Sequence, residues 1–239
     1  MSHSLLRSGF VPAAPAAARS IAHPIALSLA LALPGSGAAA NAWQREPGTS
    51  FLSFSVQSTV NGVDFGEYAS LYYEYGLTDG LTLGLDAGRN LVSSDSSAIF
   101  FVQTPLFTSG ANLFAFDLGI GVADVASERR AALRPGLAWG RPYTAPWGNG
   151  WMGVDATYAF YDGGEALGKV DATFGVNHAS GSLSLAQLQF AAPSGGDATF
   201  GLAPSHVMKI SDNSFIELGA LYEFRNGVTA IKLGIWTTF

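Results

Sequence analysis

Two groups of residues in this chain have types and spacings that could carry chemistry. The first is His178 and Ser180 in NHASGS (177–182), two positions apart and so on one face of an extended strand. An imidazole beside a serine hydroxyl can take its proton and turn it into a nucleophile toward an ester. The second is a series of charges placed at alternate positions of apolar stretches: Glu74, Asp86, Asp117, Arg134, Asp155, Lys169, Asp171, Glu217 and Lys232. Gathered on one side of a sheet, such charges line a polar conduit or pair across it and fill it. The His–Ser pair has no matched acidic or amide side chain to orient the imidazole, and HASG is also a good turn. His178 and His206 stand too far apart in sequence to make a ligand set, so neither a metal nor a cofactor is expected. On these grounds catalysis is not expected.

The elements that must position these residues are strands. FLSFSVQS (51–58) sets Leu52, Phe54 and Val56 against Ser53, Ser55 and Gln57; LTLGLDAG (81–88) sets Leu81, Leu83 and Leu85 against Thr82, Gly84 and Asp86. LFAFDLGIGV (113–122), WMGVDATYAF (151–160), KVDATFGVN (169–177), FIELGALYE (215–223) and AIKLGIWTTF (230–239) repeat the two-residue period. Pro135, Pro204 and a change of phase between Leu185 and Leu188 predict bulges or breaks in their strands. AIFFVQT (98–104) is apolar on both faces. About twelve strands result, at roughly 16–17 residues per strand and connection, enough for the 9–11 residues a membrane strand needs.

Composition bears on where the apolar faces point. Charged residues make up only 13% of the chain, mean hydropathy is +0.25, and there are 29 glycines and no cysteine. A barrel in water would carry many Lys, Glu and Arg on its polar face, whereas here that face is mostly Gly, Ser, Thr and Ala. The apolar faces therefore read as lipid-facing. Backbone groups in hydrocarbon must all be paired, so the sheet must close on itself. Tyr73, Tyr75, Trp139, Tyr143, Trp147, Trp151, Tyr158, Phe160, Tyr222 and Trp236 fall near strand ends, where interfacial girdles sit.

The first forty residues run from basic (Arg7, Arg19) to apolar (Ile25 to Leu33) to small (Ala38–Ala40), the order of a secretory signal peptide. Its apolar run is too short to span a bilayer. Cleavage after Ala40 or Ala42 both fit; the first leaves a barrel domain at 41–239. Removing residues 1–40 of the 239 leaves 199 residues and takes the net charge from −6 to −8, since both cations lost are arginines. An exported, acidic chain is no nucleic-acid binder.

The C-terminal pattern Ile231, Leu233, Ile235, Phe239 resembles that of proteobacterial outer-membrane β-barrels, which end on an alternating strand with a terminal Phe. Thr237 departs from the aromatic or aliphatic residue more usual at its position. YEYGLTDGLTLGL (73–85) is similar to the tight periplasmic hairpins of small barrels in that group. The resemblance implies an all-β, closed antiparallel up-and-down transmembrane barrel in the outer membrane, surrounded by its lipid. It also implies that the barrel-assembly machinery reads the last strand. Connections near 59–66, 89–97, 124–131, 161–168, 192–198 and 224–228 would face outside. NHASGS in turn is similar to the His-x-Ser element of outer-membrane phospholipases and lipid A deacylases, with Gly181 where those families have Asn. The leading expectation is a narrow channel for small polar solutes with an acidic bias. A structural or accessory barrel with a plugged lumen, serving assembly or polysaccharide export, is the alternative, and a lipid hydrolase comes third.

Overall fold

A computed structural model describes residues 42–60, 67–125, 127–146 and 148–239. The expected signal peptide and Trp147 lie outside the described residues. Twelve strands follow in order: β1 (Ser50–Thr59), β2 (Tyr68–Thr78), β3 (Leu81–Asn90), β4 (Ser96–Ser109), β5 (Asn112–Val125), β6 (Glu128–Ala145), β7 (Gly148–Tyr161), β8 (Ala166–Asn177), β9 (Leu183–Pro193), β10 (Thr199–Lys209), β11 (Ser214–Glu223) and β12 (Val228–Thr238). Each pairs antiparallel with its neighbours in the chain, and β1 pairs with β12 from Phe51↔Thr238 to Thr59↔Ala230. The ring is a closed antiparallel barrel, with the last strand completing it. Ser50 and Phe239 exchange both backbone bonds at the seam, at 2.6 and 3.1 Å.

The end holding β1's start and β12's finish is called the base here, and the opposite end the mouth. Connections at both ends are short: at the base they run from two residues, as between Thr78 and Leu81, to five between Asn177 and Leu183, and at the mouth 91–95 and 194–198 are no longer than that.

Period-two alternation builds the wall. Phe100, Ile120, Leu137, Leu233 and Ile235 point out and are more than half exposed, whereas Ser55, Glu74, Thr82, Gln103, Asp117 and Glu217 point in and are buried. The exposed apolar surface forms a lipid-facing band. Outward aromatics meet in pairs: Phe107 on Phe114, Tyr143 on Phe174, Tyr158 on Phe160, and Phe200 on Phe224. Outward Gly150 leaves the space into which Tyr143 lays its ring, its hydroxyl donating to the Gly175 carbonyl at 3.0 Å.

Four expectations need correction. The bulges expected at Pro135 and in β9 do not occur. The β6–β7 ladder skips the pairs around Pro135 yet keeps register from Leu133↔Phe160 to Gly136↔Thr157. Pro204 likewise interrupts β10–β11 without shifting it. A proline lacks the ladder N–H, but at these sites the chain stays extended. The register shifts lie elsewhere, at Gly76/Thr78 and Pro105/Phe107. Trp151 and Trp236 do not join the interfacial girdle: both occupy inward positions and are almost fully buried.

Candidate functional site: the lumen

At the base, the wall formed by β7 and β9 to β12 together with β1 sends large apolar side chains inward. Phe51, Trp151, Leu183, Leu185, Val207, Phe215 and Trp236 pack into one buried cluster, with Trp43 and Tyr72 against it. Trp151 can lie flat on β8 because the facing inward position is Gly175, where any Cβ would strike the indole. The opposite wall, β2 to β6, offers mostly small inward groups at this level, among them Thr82, Ala115, Ala138 and Gly140, with Gln103 and Leu113 as the larger exceptions.

That shallow wall is filled by the chain itself. Residues 42–48 precede β1 and run through the base of the lumen. Ala42 packs on Ala115 and Ala138, and Trp43 covers Gly140. Thr82 Oγ1 donates to Gln44 Oε1 at 3.3 Å and accepts the Arg45 amide at 3.2 Å. Gly48 N donates to Gly76 O at 2.8 Å, and Gly76 approaches the Glu46 carbonyl too closely for any side chain. The Arg45 guanidinium meets Glu74 at 2.5 Å and stacks over Phe51 at 4.6 Å from the ring centre. Tyr72 adds its hydroxyl to the other Glu74 oxygen at 2.7 Å. The lumen floor is thus an apolar cluster on one side and a pinned peptide on the other.

Above the floor the lumen opens into a cavity of about 520 Å³. Its charged lining is Asp86, Arg134, Asp155, Lys169, Asp171, Glu223 and Lys232, with Ser, Thr and Gln side chains between them. Arg134 binds Asp86 across the lumen at 2.5 Å. Lys232 reaches Glu217 Oε1 at 2.9 Å while Trp236 Nε1 donates to Oε2 at 3.1 Å. Asp117 lies beneath this layer, its carboxylate over Gly136. Asp155 and Asp171 face one another across β7 and β8, next to the Thr157–Lys169 pair. All nine charges named from the sequence therefore project to the inside, and Arg45, which the alternation could not place, joins them. Carboxylates among these ten outnumber cations by six to four. Further ion pairs, Asp124–Arg129 and Glu128–Arg130, lie at the β5–β6 connection of the mouth.

His178 and Ser180 do not form a pair. Ser180 Oγ accepts the Ser182 amide at 3.3 Å and belongs to the β8–β9 turn. His178 Nε2 instead meets Ser184 Oγ at 2.8 Å, and the same hydroxyl meets His206 Nδ1 at 3.0 Å. The two imidazoles that sequence spacing left isolated are neighbours across β9. Barrel register brings them together, since His206 pairs with Ser184 and the chain turns back just after Asn177.

No family model matches the chain, and no curated protein sequence matches it. Solved structures do resemble it. The KdgM porin superposes with a TM-score of 0.56 at 12% identity, covering 79% of this chain and 99% of that one. The NanC porin gives 0.58 at 10% identity over 78% and 98%. A KdgM porin in complex with disordered oligogalacturonate gives 0.55 at 13% identity. The fold is that of an outer-membrane porin barrel. At such low identity the likeness shows the architecture alone.

Proposed function

We propose that this barrel resides in the outer membrane, assembled through its C-terminal strand, and is a narrow passage for small polar solutes, closed at the periplasmic base by residues 42–48. The observation that carries this reading is the charged cavity of about 520 Å³ above a base into which residues 42–48 of the same chain are packed. A cavity of that size accepts a solute of sugar or amino-acid dimensions. The excess of carboxylates favours cations and neutral solutes over anions. One porin of like fold was solved with an oligogalacturonate, an acidic sugar chain, and the lumen charge here argues against that class of solute for this chain.

Planar-bilayer conductance tests the reading on purified protein, as wild type and with residues 42–48 deleted. Discrete steps that grow on deletion, with reversal potentials in a salt gradient favouring K⁺ over Cl⁻, support it. Silence from both forms at high protein load overturns it in favour of a structural or accessory barrel, whose specific support is the apolar cluster around Trp151 and Trp236. The assembly element of the proposal is tested by deleting Phe239, which is exposed and caps the closing strand. Folded barrel recovered from cell envelopes should fall while folding of the purified chain into detergent is unchanged; equal recovery would refute that element.

A further inference from the structure

The chain has four histidines, and two of them, His3 and His23, lie in the first forty residues. The other two, His178 and His206, are the pair that meets at Ser184 near the base. Both are exposed, with ring centres 5.6 Å apart and planes inclined at 49°. One nitrogen from each ring converges on the same hydroxyl, at 2.8 and 3.0 Å.

We propose that His178 and His206, held in register by Ser184, form a binding site for a first-row divalent transition metal of the Zn²⁺ or Cu²⁺ type on the outer wall of the barrel near its periplasmic rim. Imidazole nitrogen is a preferred donor for these ions. With a metal–nitrogen bond of about 2.1 Å, each ring centre lies about 3.2 Å from the ion, so two rings at a tetrahedral angle stand about 5.2 Å apart. The observed 5.6 Å is within a small side-chain adjustment of that value. Ser184 can donate its proton to one ring nitrogen and accept from the other, which turns both donor atoms toward one point before any ion arrives. Among the described residues no third His, Asp or Glu completes a ligand set here. The remaining coordination positions are therefore left to water, which makes the site open and exchangeable.

The surroundings fit this assignment better than a hydrolytic one. The Ser184 backbone is engaged in the β9 ladders with Val176 and His206, and among the described residues no acidic side chain is bonded to either imidazole. A nucleophilic serine would need free donors for the developing oxyanion, and ladder amides are already spent. A metal needs one lone pair from each ring, and the imidazole that donates to Ser184 supplies its own once its proton moves to the other ring nitrogen.

The test is calorimetric titration of the purified, detergent-solubilised full chain, carrying no polyhistidine tag, with Zn²⁺. One ion should bind per barrel. H178Q and H206Q should each weaken binding by at least about tenfold, and S184A by less than either, as for a residue that only orients its neighbours. Heat-dependent gel mobility verifies that each variant is folded. Electron paramagnetic resonance of wild type with one equivalent of Cu²⁺ supplies a reading that requires no substitution, since two bound imidazoles give resolved nitrogen coupling. The inference is overturned by a copper spectrum showing oxygen ligands only, or by zinc affinity unchanged in the folded H178Q/H206Q double variant.

Discussion

Glu217 offers the sharpest check on how the lumen is held together. Its side chain is 2% exposed, accepts from Trp236 Nε1 at 3.1 Å, and pairs with Lys232 Nζ at 2.9 Å, whereas the Lys232 side chain keeps 28% of its surface. Glu217→Leu strands an ammonium that can still turn toward the cavity water, so the usual 3–5 kcal/mol for breaking a buried pair shrinks to about 2 kcal/mol. The loss of an acceptor for the indole adds about 1 kcal/mol. Lys232→Met strands a carboxylate that is 2% exposed and retains one donor, Trp236 Nε1; its cost should reach about 3–4 kcal/mol. The double variant should cost less than the two single values together by at least about 2 kcal/mol, because neither charge is then left alone. Equilibrium denaturation of the barrel in lipid vesicles, followed by tryptophan fluorescence, measures all three, with Trp236 bonded to Glu217 and Trp151 buried in the same apolar cluster as Trp236. Additivity within about 0.5 kcal/mol would refute the coupling, and a Lys232→Met cost below that of Glu217→Leu would refute the ranking by burial.

Other outcomes follow from the same geometry. Leu118→Arg, mid-strand on the outward face of β5, should destabilise the barrel in bilayers by about 2–4 kcal/mol, measured by the same denaturation; no effect would contradict the lipid-facing assignment. Gly175→Val forces a side chain into the Trp151 indole and should cost about 1–3 kcal/mol with a red-shifted tryptophan emission, unlike Gly80→Ala, whose added Cβ meets nothing. Arg45→Ala removes the ion pair with Glu74 and the stacking on Phe51, so the floor peptide should open more often and mean bilayer conductance rise, by less than deletion of 42–48 produces; a conductance equal to wild type would separate that peptide from any closing role.

Architecture was legible because a membrane barrel obeys one rule along its whole length. Each strand alternates, and a closed ring leaves no edge whose pairing must be guessed. Leu83, Phe116 and Val154 belong to the outward set and Asp86, Asp117 and Asp155 to the inward set by that rule. Closure through β12 also followed, from an alternating strand that ran to the last residue. The prolines misled because sequence registers a missing N–H but not whether the flanking pairs can hold the strand straight, as they do around Pro135 and Pro204. The histidine cluster was hidden for another reason. Residues on β8 and β10 meet only when the register of β9 is known, and a one-residue slip would send Ser184 to the lumen. The signal that could have found it was numerical: only two histidines follow residue 40, and one flanks a base turn.

The lumen shows where alternation stops being informative. It says that a residue points inward but not what it meets there, and two inward patterns at the base carry opposite meanings. On β9 the inward face is Leu183 and Leu185 near the base and Gln187 and Gln189 above it, while the outward face takes over the apolar role at Leu188 and Phe190. What looked like a bulge is a straight strand crossing from an oily floor to a wet cavity. On β2 to β6 the inward face at the same depth holds Gly76, Thr82, Ala115, Ala138 and Gly140, which in a list of strands describes open space. In the fold it is the imprint of residues 42–48, a segment without period or hydrophobic run of its own. Small inward residues on one wall therefore mark either water or a guest. The distinction here rests on Glu74, a carboxylate set among small groups at that depth and partnered by a cation from outside the strands.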